Sequence, residues 1–357
     1  MTAYTPDTSA TPGGARRNAA VLITGASGEM GHGLIHALHS RGRRDILALD
    51  IREVDPELRP YCRESLVGDI TDTALLERLL ATYEIDAVFH LAALLSTRSE
   101  YAPEAAHHVN VNGTINLLRL ANEQARSHGR SVAFIFPSSI AAYGMPSLET
   151  KQRAGRVRED QFNTPATMYG CNKLSCEHLG AYYAEHYRRL AKDRGPNRLD
   201  FRCIRFPGII SAFTLPSGGT SDYAPEMIHA AAQGQNYHCF VRPDARIPFM
   251  TMPDAIDALL ALHDAPRERL STHVYNISAF APSAKEVLDI VERHFPGARS
   301  LVDFKIDHAR QGIIDSWPED IDDTLARRDW GYAPKHDLES AFRDYLVPNI
   351  KERYAHA

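Results

Sequence analysis

Residues 19–31 (AAVLITGASGEMG) decide the fold, because an apolar run of strand length is followed at once by three glycines spaced three apart. The next residues, 30–40, have the apolar spacing of a helix. In a strand–glycine turn–helix unit the backbone can approach a pyrophosphate at the helix N-terminus. The spacing alone is a weak signal, and chance glycines in an ordinary turn are the alternative. We therefore predict a dinucleotide site whose contacts come from Gly25, Ser27, Gly28, Glu29, Met30 and Gly31.

Strand-like and helix-like segments alternate through the next 180 residues or so. The strand-like segments are nearly all apolar, as in strands that helices cover on both faces. This alternation predicts an α/β protein with a doubly wound parallel Rossmann sheet. The predicted strands after the first are 45–50, 64–68, 86–91, 131–136 and 201–206, and the predicted helices are 30–40, 73–83 (with a cap near Thr71), 103–128 and 167–191.

The chain divides into a larger and a smaller part. We predict a dinucleotide-binding domain over 19–206 and a smaller C-terminal substrate-binding portion over 207–251 and 278–345, where proline and glycine cluster and the alternation loosens. Residues 252–277 are expected to return to the larger domain. Residues 1–18 are polar and are expected to be a disordered tail, whereas the polar stretch 188–197 is an extension to which we assign no role.

Composition restricts the class of protein. The chain has 357 residues, a formal charge of -5 and 24% charged residues, which favours neither nucleic acid nor a membrane surface as a partner. Its five cysteines are odd in number and scattered, so a disulfide framework or a metal site is not expected. This pattern predicts a reducing, cytoplasmic location.

Further cofactor contacts are expected where later strands end. Asp50, about 20 residues after the glycines, can accept hydrogen bonds from the adenosine ribose and would repel a 2′-phosphate, which favours NAD over NADP. Arg52 nearby leaves NADP open. Asp69 and Ile70 are expected at the adenine, with helix capping as an alternative for Asp69. The remaining predicted contacts are Leu91, Ala92 and Ala93, where small side chains allow close passage, and Asn110 through a structural or loop hydrogen bond.

Three residues have the pattern of hydride-transfer chemistry. Tyr169 and Lys173 are four apart and lie on one helix face, where the ammonium favours the phenolate form of the tyrosine. Ser139 ends a predicted strand and can hold the substrate oxygen that Tyr169 deprotonates. We predict these three as catalytic, with Tyr169 and Lys173 also contacting the cofactor; Ser138 is the alternative serine. His90 is expected to be a core histidine.

Together these motifs resemble the extended short-chain dehydrogenase/reductase family from about residue 19 onward. Five separated segments are more similar to one group of that family, the short-chain type of L-threonine 3-dehydrogenase. They are His90–Ser96 (HLAALLS), Phe206–Ser211 (FPGIIS), 218–224 (GGTSDYA), 246–256 (RIPFMTMPDAI) and 310–318, which contains Arg310-Gln311 and Asp315-Ser316-Trp317-Pro318.

The resemblance implies NAD, a homodimer and oxidation of the 3-hydroxyl of L-threonine to 2-amino-3-oxobutanoate. It also implies substrate contacts from Ser96, Ser139, Tyr169, Ser221 and Trp317, and hydroxyls and amides around Thr220 can bind a small carboxylate. The homodimer is expected to form a four-helix bundle from helices 103–128 and 167–191. Serines at 139, 217 and 221 depart from the threonine or glycine usual in this group. Ser139 keeps the hydroxyl that the chemistry needs, but Ser217 and Ser221 leave another small 3-hydroxy acid or amino alcohol open as substrate.

Two other functions compete with this interpretation. A nucleotide-sugar epimerase or dehydratase would need a diphosphate site, for which Arg246 is a candidate. However, apolar Ile247 follows it, and Ile140 and Ala141 follow Ser139 where a dehydratase needs an acid–base pair. A dinucleotide-sensing scaffold would not need the serine, tyrosine and lysine together.

Overall fold

The computed structural model describes residues 19–192, 195, 198–216 and 219–355. The predicted tail 1–18, Ser217 and four positions of the 188–197 extension lie outside the described residues. Within the described residues, every helix is too short or too polar to cross a membrane.

The strands fall into one large sheet and three short pairs. In chain order they are β1 Ala19–Thr24, β2 Ile46–Asp50, β3 Glu64–Val67, β4 Glu84–His90, β5 Val132–Ser139, β6 Arg156–Val157, β7 Leu199–Phe206, β8 Gly208–Ile210, β9 Tyr237–Cys239, β10 Phe249–Thr251, β11 Val274–Asn276, β12 Val302–Phe304 and β13 Asp320–Ile321.

The helices alternate with the strands through the first two thirds of the chain. They are α1 Glu29–Ser40, α2 Thr73–Thr82, α3 Ser96–Tyr101, α4 Pro103–His107, α5 Gly113–His128, α6 Leu148–Ala154, α7 Met168–Glu185, α8 Tyr223–Ala232, α9 Met252–Asp264, α10 Ala284–His294, α11 Ala298–Leu301, α12 His308–Asp315, α13 Thr324–Trp330, α14 Leu338–Ser340 and α15 Val347–Ala355.

The large sheet has the order β11-β7-β5-β4-β1-β2-β3, and all of its neighbouring strands run parallel. Successive side chains of β1 enter opposite faces: Val21 and Ile23 pack with α1 and α9, whereas Ala20 and Leu22 pack with α2 and α5. Burial of both faces explains why the strands are apolar throughout. The predicted doubly wound α/β fold is confirmed.

Several predicted boundaries need correction. The helix predicted at 103–128 is interrupted by a π-helical turn, His108–Asn112, and the helix predicted at 167–191 ends already at Glu185. Helix α2 is capped by Asp72, next to Thr71 as predicted, because the Asp72 carboxylate accepts hydrogen bonds from the amides of Ala74 and Leu75.

A second core lies in the C-terminal part of the chain. There α8, α10 and α12 pack around the short pairs β8–β10 and β9–β12. Strand β11 lies beside β7 in the large sheet, and α9 packs against α1 and β7. The division into a dinucleotide domain and a substrate portion stays a prediction.

Helix α7 approaches the end of β5 unusually closely. A Cβ atom on Gly170, in the first turn of α7, would lie 2.0 Å from the carbonyl oxygen of Ala141, in the 3₁₀ turn that follows β5. The Oγ1 of Thr167 caps this helix by accepting a hydrogen bond from the Gly170 amide. The contact fixes where the first turn of α7 lies relative to the last residue of β5.

Gly170→Ala should therefore destabilise the protein by about 2 kcal/mol or more, because the carbonyl of Ala141 cannot yield without moving the backbone. Gly312→Ala is the matched control: its Cβ would meet nothing within 4 Å, so the change should be neutral or stabilise the helix by about 0.5–1 kcal/mol. Urea unfolding of both variants measures the difference, and equal stabilities would contradict the close approach.

Candidate functional site

The glycine turn between β1 and α1 is shaped for a phosphate group. Gly25 has a φ of 71°, and its carbonyl accepts the Gly28 amide at 3.0 Å. A Cβ on Gly31 would lie 2.5 Å from the Ala26 carbonyl oxygen, so this position must stay without a side chain. A Cβ on Gly28 would meet only the Gly25 carbonyl oxygen, at 3.2 Å, which leaves the face of the turn open to a ligand. The loop fits a pyrophosphate at the N-terminus of α1.

Asp50 fixes this turn from the end of β2. One carboxylate oxygen accepts the Ser27 amide at 3.0 Å, and the other accepts the Arg52 amide at 3.0 Å. The Ser27 hydroxyl in turn donates to the carbonyls of Arg52 and Glu53. Asp50, which we predict to bind the ribose, and the glycine turn, which we predict to bind the pyrophosphate, are thus joined by hydrogen bonds.

Three other predicted cofactor residues make contacts within the protein. Ile70 is 4% exposed and its side chain packs against Gly113, so most of this side chain belongs to the core. The Asn110 side chain accepts a hydrogen bond from the Leu94 amide at 2.7 Å and donates one to the Leu94 carbonyl at 3.0 Å. These bonds hold the loop after β4 in place. The Asp69 carboxylate accepts hydrogen bonds from the amide and the hydroxyl of Thr71, both at 2.8 Å, as is typical of a turn residue.

The loop after β4 lies directly against the glycine turn. A Cβ on Gly25 would lie 2.6 Å from the Ala92 amide nitrogen, and the Leu91 amide donates to the Thr24 carbonyl at 3.0 Å. Leu91 and Ala92 therefore lie beside Gly25, and Ala93 follows directly; their contact with the cofactor stays a prediction. Met30 is partly buried and packs on the core beneath α1.

The three predicted catalytic residues come from β5 and the first two turns of α7. Lys173 is 5% exposed, and its ammonium donates to the Pro137 carbonyl at 2.6 Å. The same ammonium lies 4.6 Å from the centre of the Phe136 ring and 5.4 Å from that of Tyr169. The ammonium is thus held beside the phenol ring of Tyr169.

The two adjacent serines at the end of β5 have different surroundings. The Ser138 hydroxyl is buried and donates to the Glu177 carboxylate at 2.5 Å. The Ser139 oxygen accepts the Ala141 amide at 3.1 Å, and its side chain is only half-buried. Ser139 can therefore still donate to a ligand, whereas Ser138 is committed to a structural contact.

A buried ion pair beneath the serines is a feature that we did not predict. Arg205 on β7 and Glu177 on α7 form two hydrogen bonds of 2.9 and 2.6 Å, and both side chains are 3% exposed. The Arg205 guanidinium also lies 4.6 Å from the centre of the Tyr143 ring, and burial raises the pKa of Tyr143 to about 12. An arginine within the apolar run FRCIRF was the available signal.

His90 is a core residue, as expected from its apolar strand. Its two ring nitrogens lie 2.8 and 2.9 Å from the hydroxyls of Thr24 and Thr114. Burial, with a smaller effect from the Lys173 charge, lowers the pKa of His90 to about 3. The ring is therefore neutral at physiological pH and does not serve as a base there.

Apart from Ser139 and Tyr169, the predicted substrate residues come from three separate segments. The Thr220 hydroxyl lies 3.4 Å from that of Ser96, and Ser221 follows directly. Trp317 is 5% exposed, and its indole N–H has no hydrogen-bond partner within the described part of the chain. The Ser316 carbonyl next to it accepts the Met145 amide at 2.7 Å, which ties the tryptophan loop to the segment that follows Ser139.

Two cations that we did not predict support this region. The buried Lys151 ammonium donates to the Ile314 carbonyl at 2.8 Å, at the C-terminal end of α12, and burial lowers its pKa to about 8. Arg310 donates to the Gly219 carbonyl at 2.6 Å. Across the described residues, no three histidine, cysteine or acidic side chains converge as metal ligands.

Comparison with known proteins agrees with this geometry. Residues 21–278 match the model of the NAD dependent epimerase/dehydratase family. A mitochondrial L-threonine 3-dehydrogenase of Bos taurus is 37% identical over 320 residues, which are 89% of this chain and 79% of that protein.

Two solved structures are similar over nearly their whole length. A monomeric L-threonine 3-dehydrogenase from a metagenome, in its apo form, is 35% identical with a TM-score of 0.81, over 93% of this chain and 99% of the other. The holo form of a GalE-like L-threonine dehydrogenase from Cupriavidus necator is 32% identical with a TM-score of 0.80, over 94% and 99%.

The resemblance described from the sequence is confirmed. The chain belongs to the NAD-dependent epimerase/dehydratase family of extended short-chain dehydrogenases/reductases, and within that family it is an oxidoreductase similar to the L-threonine 3-dehydrogenases.

Proposed function

We propose that this protein uses NAD to oxidise the 3-hydroxyl of L-threonine to 2-amino-3-oxobutanoate. The observation that carries the proposal is the Lys173 ammonium, fixed between a carbonyl and two rings beside Tyr169, with the free hydroxyl of Ser139 at the adjoining strand end. The similarity to L-threonine 3-dehydrogenases supports the choice of substrate.

In this mechanism Tyr169 acts as the base. Its phenolate accepts the proton of the substrate hydroxyl, while Ser139 donates a hydrogen bond to the same substrate oxygen. Lys173 stabilises the phenolate through its fixed positive charge. The nicotinamide, when bound, supplies the hydride acceptor for the carbon that carries the hydroxyl. Asp50 and the glycine turn would hold the dinucleotide.

Substrate selection would come from the segments around Ser96, Thr220, Ser221 and Trp317. The hydroxyls suit a small carboxylate or amine, and the unpartnered indole N–H of Trp317 can donate to a substrate oxygen. Leaving a buried polar group unpaired costs about 1–3 kcal/mol, so a substrate that satisfies this N–H gains affinity. A substrate with these polar groups on adjacent carbons fits the same set of contacts.

The epimerase alternative is weakened by the surroundings of Arg246. Its guanidinium donates to the Ala281 carbonyl and to the Glu286 carboxylate, the latter at 2.7 Å. The charge of this arginine is thus already paired and is a poor ligand for a sugar diphosphate. Another small 3-hydroxy acid stays a second candidate substrate, because Ser221 departs from the residue usual in this group.

Cofactor choice follows from Asp50. Both of its carboxylate oxygens are fixed at the strand end by backbone amides, and a fixed negative charge there favours a ribose diol over a 2′-phosphate. The side chain of Arg52 reaches only the Ser27 carbonyl, at 3.4 Å. We therefore propose NAD rather than NADP.

We also propose a homodimer through the outer faces of α5 and α7. These helices pack against each other on one side of the sheet, and Tyr182 on α7 is 44% exposed. Tyr101 on neighbouring α3 is 87% exposed. One similar protein is described as monomeric, so the dimer is a proposal for this chain alone. The cytoplasmic location stays a prediction from cysteine content.

The decisive assay for function follows NAD reduction at 340 nm with L-threonine, D-threonine, L-serine and UDP-glucose, each with NAD and with NADP. We expect turnover with L-threonine and NAD, and a fall of about 10²-fold or more in Tyr169→Phe, which keeps the ring but lacks the base. Conversion of UDP-glucose without turnover of L-threonine would contradict the proposal; it is followed by chromatography of the sugar nucleotide, because an epimerase returns the hydride and yields no net NADH. A preference for NADP would contradict the role of Asp50.

Ser138→Ala and Ser139→Ala should separate structural from catalytic function. Loss of the Ser138 hydroxyl removes a hydrogen bond to a buried carboxylate and should lower the free energy of unfolding by about 1.5–3 kcal/mol. Loss of the Ser139 hydroxyl should lower kcat by about 10²-fold or more with a smaller effect on stability. Reversed effects on kcat would show that the assignment of the two serines is wrong.

The oligomeric state is tested by light scattering at micromolar concentration. A dimer has twice the monomer mass of 39.8 kDa. We expect this doubled mass for the wild type and a shift toward monomer in Tyr182→Glu, because a charge in an apolar interface is costly. A wild-type mass near 39.8 kDa would exclude a stable dimer.

A further inference from the structure

The carboxyl group of Glu29 has unusual surroundings for an acid at the start of a helix. Glu29 is the first residue of α1, directly after Gly28. Its Oε1 is buried and has no hydrogen-bond partner within the described part of the chain. The hydroxyls of Ser211 and Thr214, from the loop after β8, face the same carboxyl group. Glu29 therefore points from the glycine turn toward the C-terminal part of the protein.

Two titratable groups on other elements also face Glu29. Asp222 immediately precedes α8, and Tyr345 lies in the π-helical segment Ala341–Leu346. The Tyr345 hydroxyl accepts the Ala212 amide at 3.1 Å, so it is fixed beside the 211–214 loop. One of these groups is an acid and the other a neutral phenol, and neither supplies a positive charge to Glu29.

This setting favours the neutral carboxyl group. Burial raises the pKa of Glu29 above its ordinary value, and the nearby Asp222 charge adds to the rise. The hydroxyls of Ser211 and Thr214 act in the opposite direction, because they stabilise the carboxylate, but their effect is smaller than that of burial.

A phosphate ligand at the same helix start would add a further negative charge. The glycine turn fits a pyrophosphate, and Glu29 is the residue of α1 that follows Gly28 in this turn. A carboxylate beside a bound pyrophosphate is repelled, whereas a protonated carboxyl group is uncharged and can donate a hydrogen bond.

We propose that Glu29 couples dinucleotide binding to the uptake of a proton, so that the protein holds the cofactor most tightly while Glu29 is neutral. This inference rests on the proposed NAD-dependent function and concerns the same cofactor site. It makes cofactor affinity, rather than the chemical step alone, depend on pH.

The direction of the pH dependence follows from linkage. Binding of an anion raises the pKa of Glu29 further, so a proton is taken up at pH values between those of the free and bound forms. Below that interval Glu29 is neutral in both forms and affinity does not change with pH. Within it, Kd rises with pH by at most about tenfold per pH unit, and above it Kd levels off.

Isothermal titration calorimetry with NAD tests this directly. The wild type is titrated from pH 5.5 to 8.5 in pairs of buffers with different ionisation enthalpies, which counts the protons taken up. We expect uptake of a fraction of one proton in the wild type and its loss in Glu29→Gln, which should bind NAD about tenfold more tightly than the wild type at pH 8.5.

Glu53→Gln is the matched control. Glu53 lies beside the same turn, where its backbone carbonyl accepts the Ser27 hydroxyl, but its side chain is 74% exposed and pairs with Arg59. This variant loses the same charge without a buried carboxyl group, so it should retain the proton uptake of the wild type.

A second readout needs no cofactor. Because the pKa of Glu29 is higher in the folded than in the unfolded protein, the fold loses stability as pH rises from the unfolded pKa to the folded pKa. The stability advantage of Glu29→Gln over the wild type, measured by urea unfolding, should therefore grow from pH 4 to pH 8.

The possible failures are distinguishable. NAD binding to the wild type without proton uptake, or uptake that persists in Glu29→Gln, would overturn the role of Glu29 and leave the dehydrogenase proposal intact. Absence of any NAD binding by a folded wild type would instead overturn both.

Discussion

The close contact between the first turn of α7 and the turn after β5 is the constraint on which the site depends. With only a hydrogen atom at Gly170, the helix can lie against the Ala141 carbonyl. That approach brings Tyr169, one residue earlier on the helix, toward the strand end that carries Ser139. A tyrosine and a lysine at this spacing occur on many helices; their use for chemistry requires a strand end next to them.

The buried pair of Glu177 and Arg205 joins α7 to β7, the strand next to β5. A buried ion pair is weak evidence for net stability, because removing both charges from water is costly. Its geometric effect is clearer. Glu177 on α7 pairs with Arg205 on β7 and also accepts the hydrogen bond of Ser138 on β5. This network occupies Ser138, leaves the neighbouring Ser139 free, and keeps the Lys173 end of α7 close to β5. The ion pair therefore serves to position α7 and the serines of β5 rather than to stabilise the fold.

The sequence predicted those features that depend on local pattern. Apolar strands, the glycine turn and the spacing of Tyr169 and Lys173 are all visible as local patterns in the sequence. The parallel sheet and the alternation of strands and helices along the chain could therefore be inferred. Contacts between distant segments could not. The burial of Ile70 against Gly113 and the use of both Asn110 amide atoms by Leu94 depend on how helix and loop meet in space. No local pattern shows either contact, so the sequence could not reveal that Ile70 lies mainly in the core or which backbone groups Asn110 holds.

In the proposed mechanism, the hydrogen on the hydroxyl-bearing carbon of threonine leaves as a hydride while Tyr169 takes the hydroxyl proton. L-threonine labelled with deuterium at carbon 3 tests this step most directly, by mass spectrometry of the reduced cofactor after turnover. We expect the deuterium to be recovered in NADH and turnover with the label to be slower whenever the chemical step limits the rate. Reduced cofactor without deuterium, formed from fully labelled substrate, would contradict it.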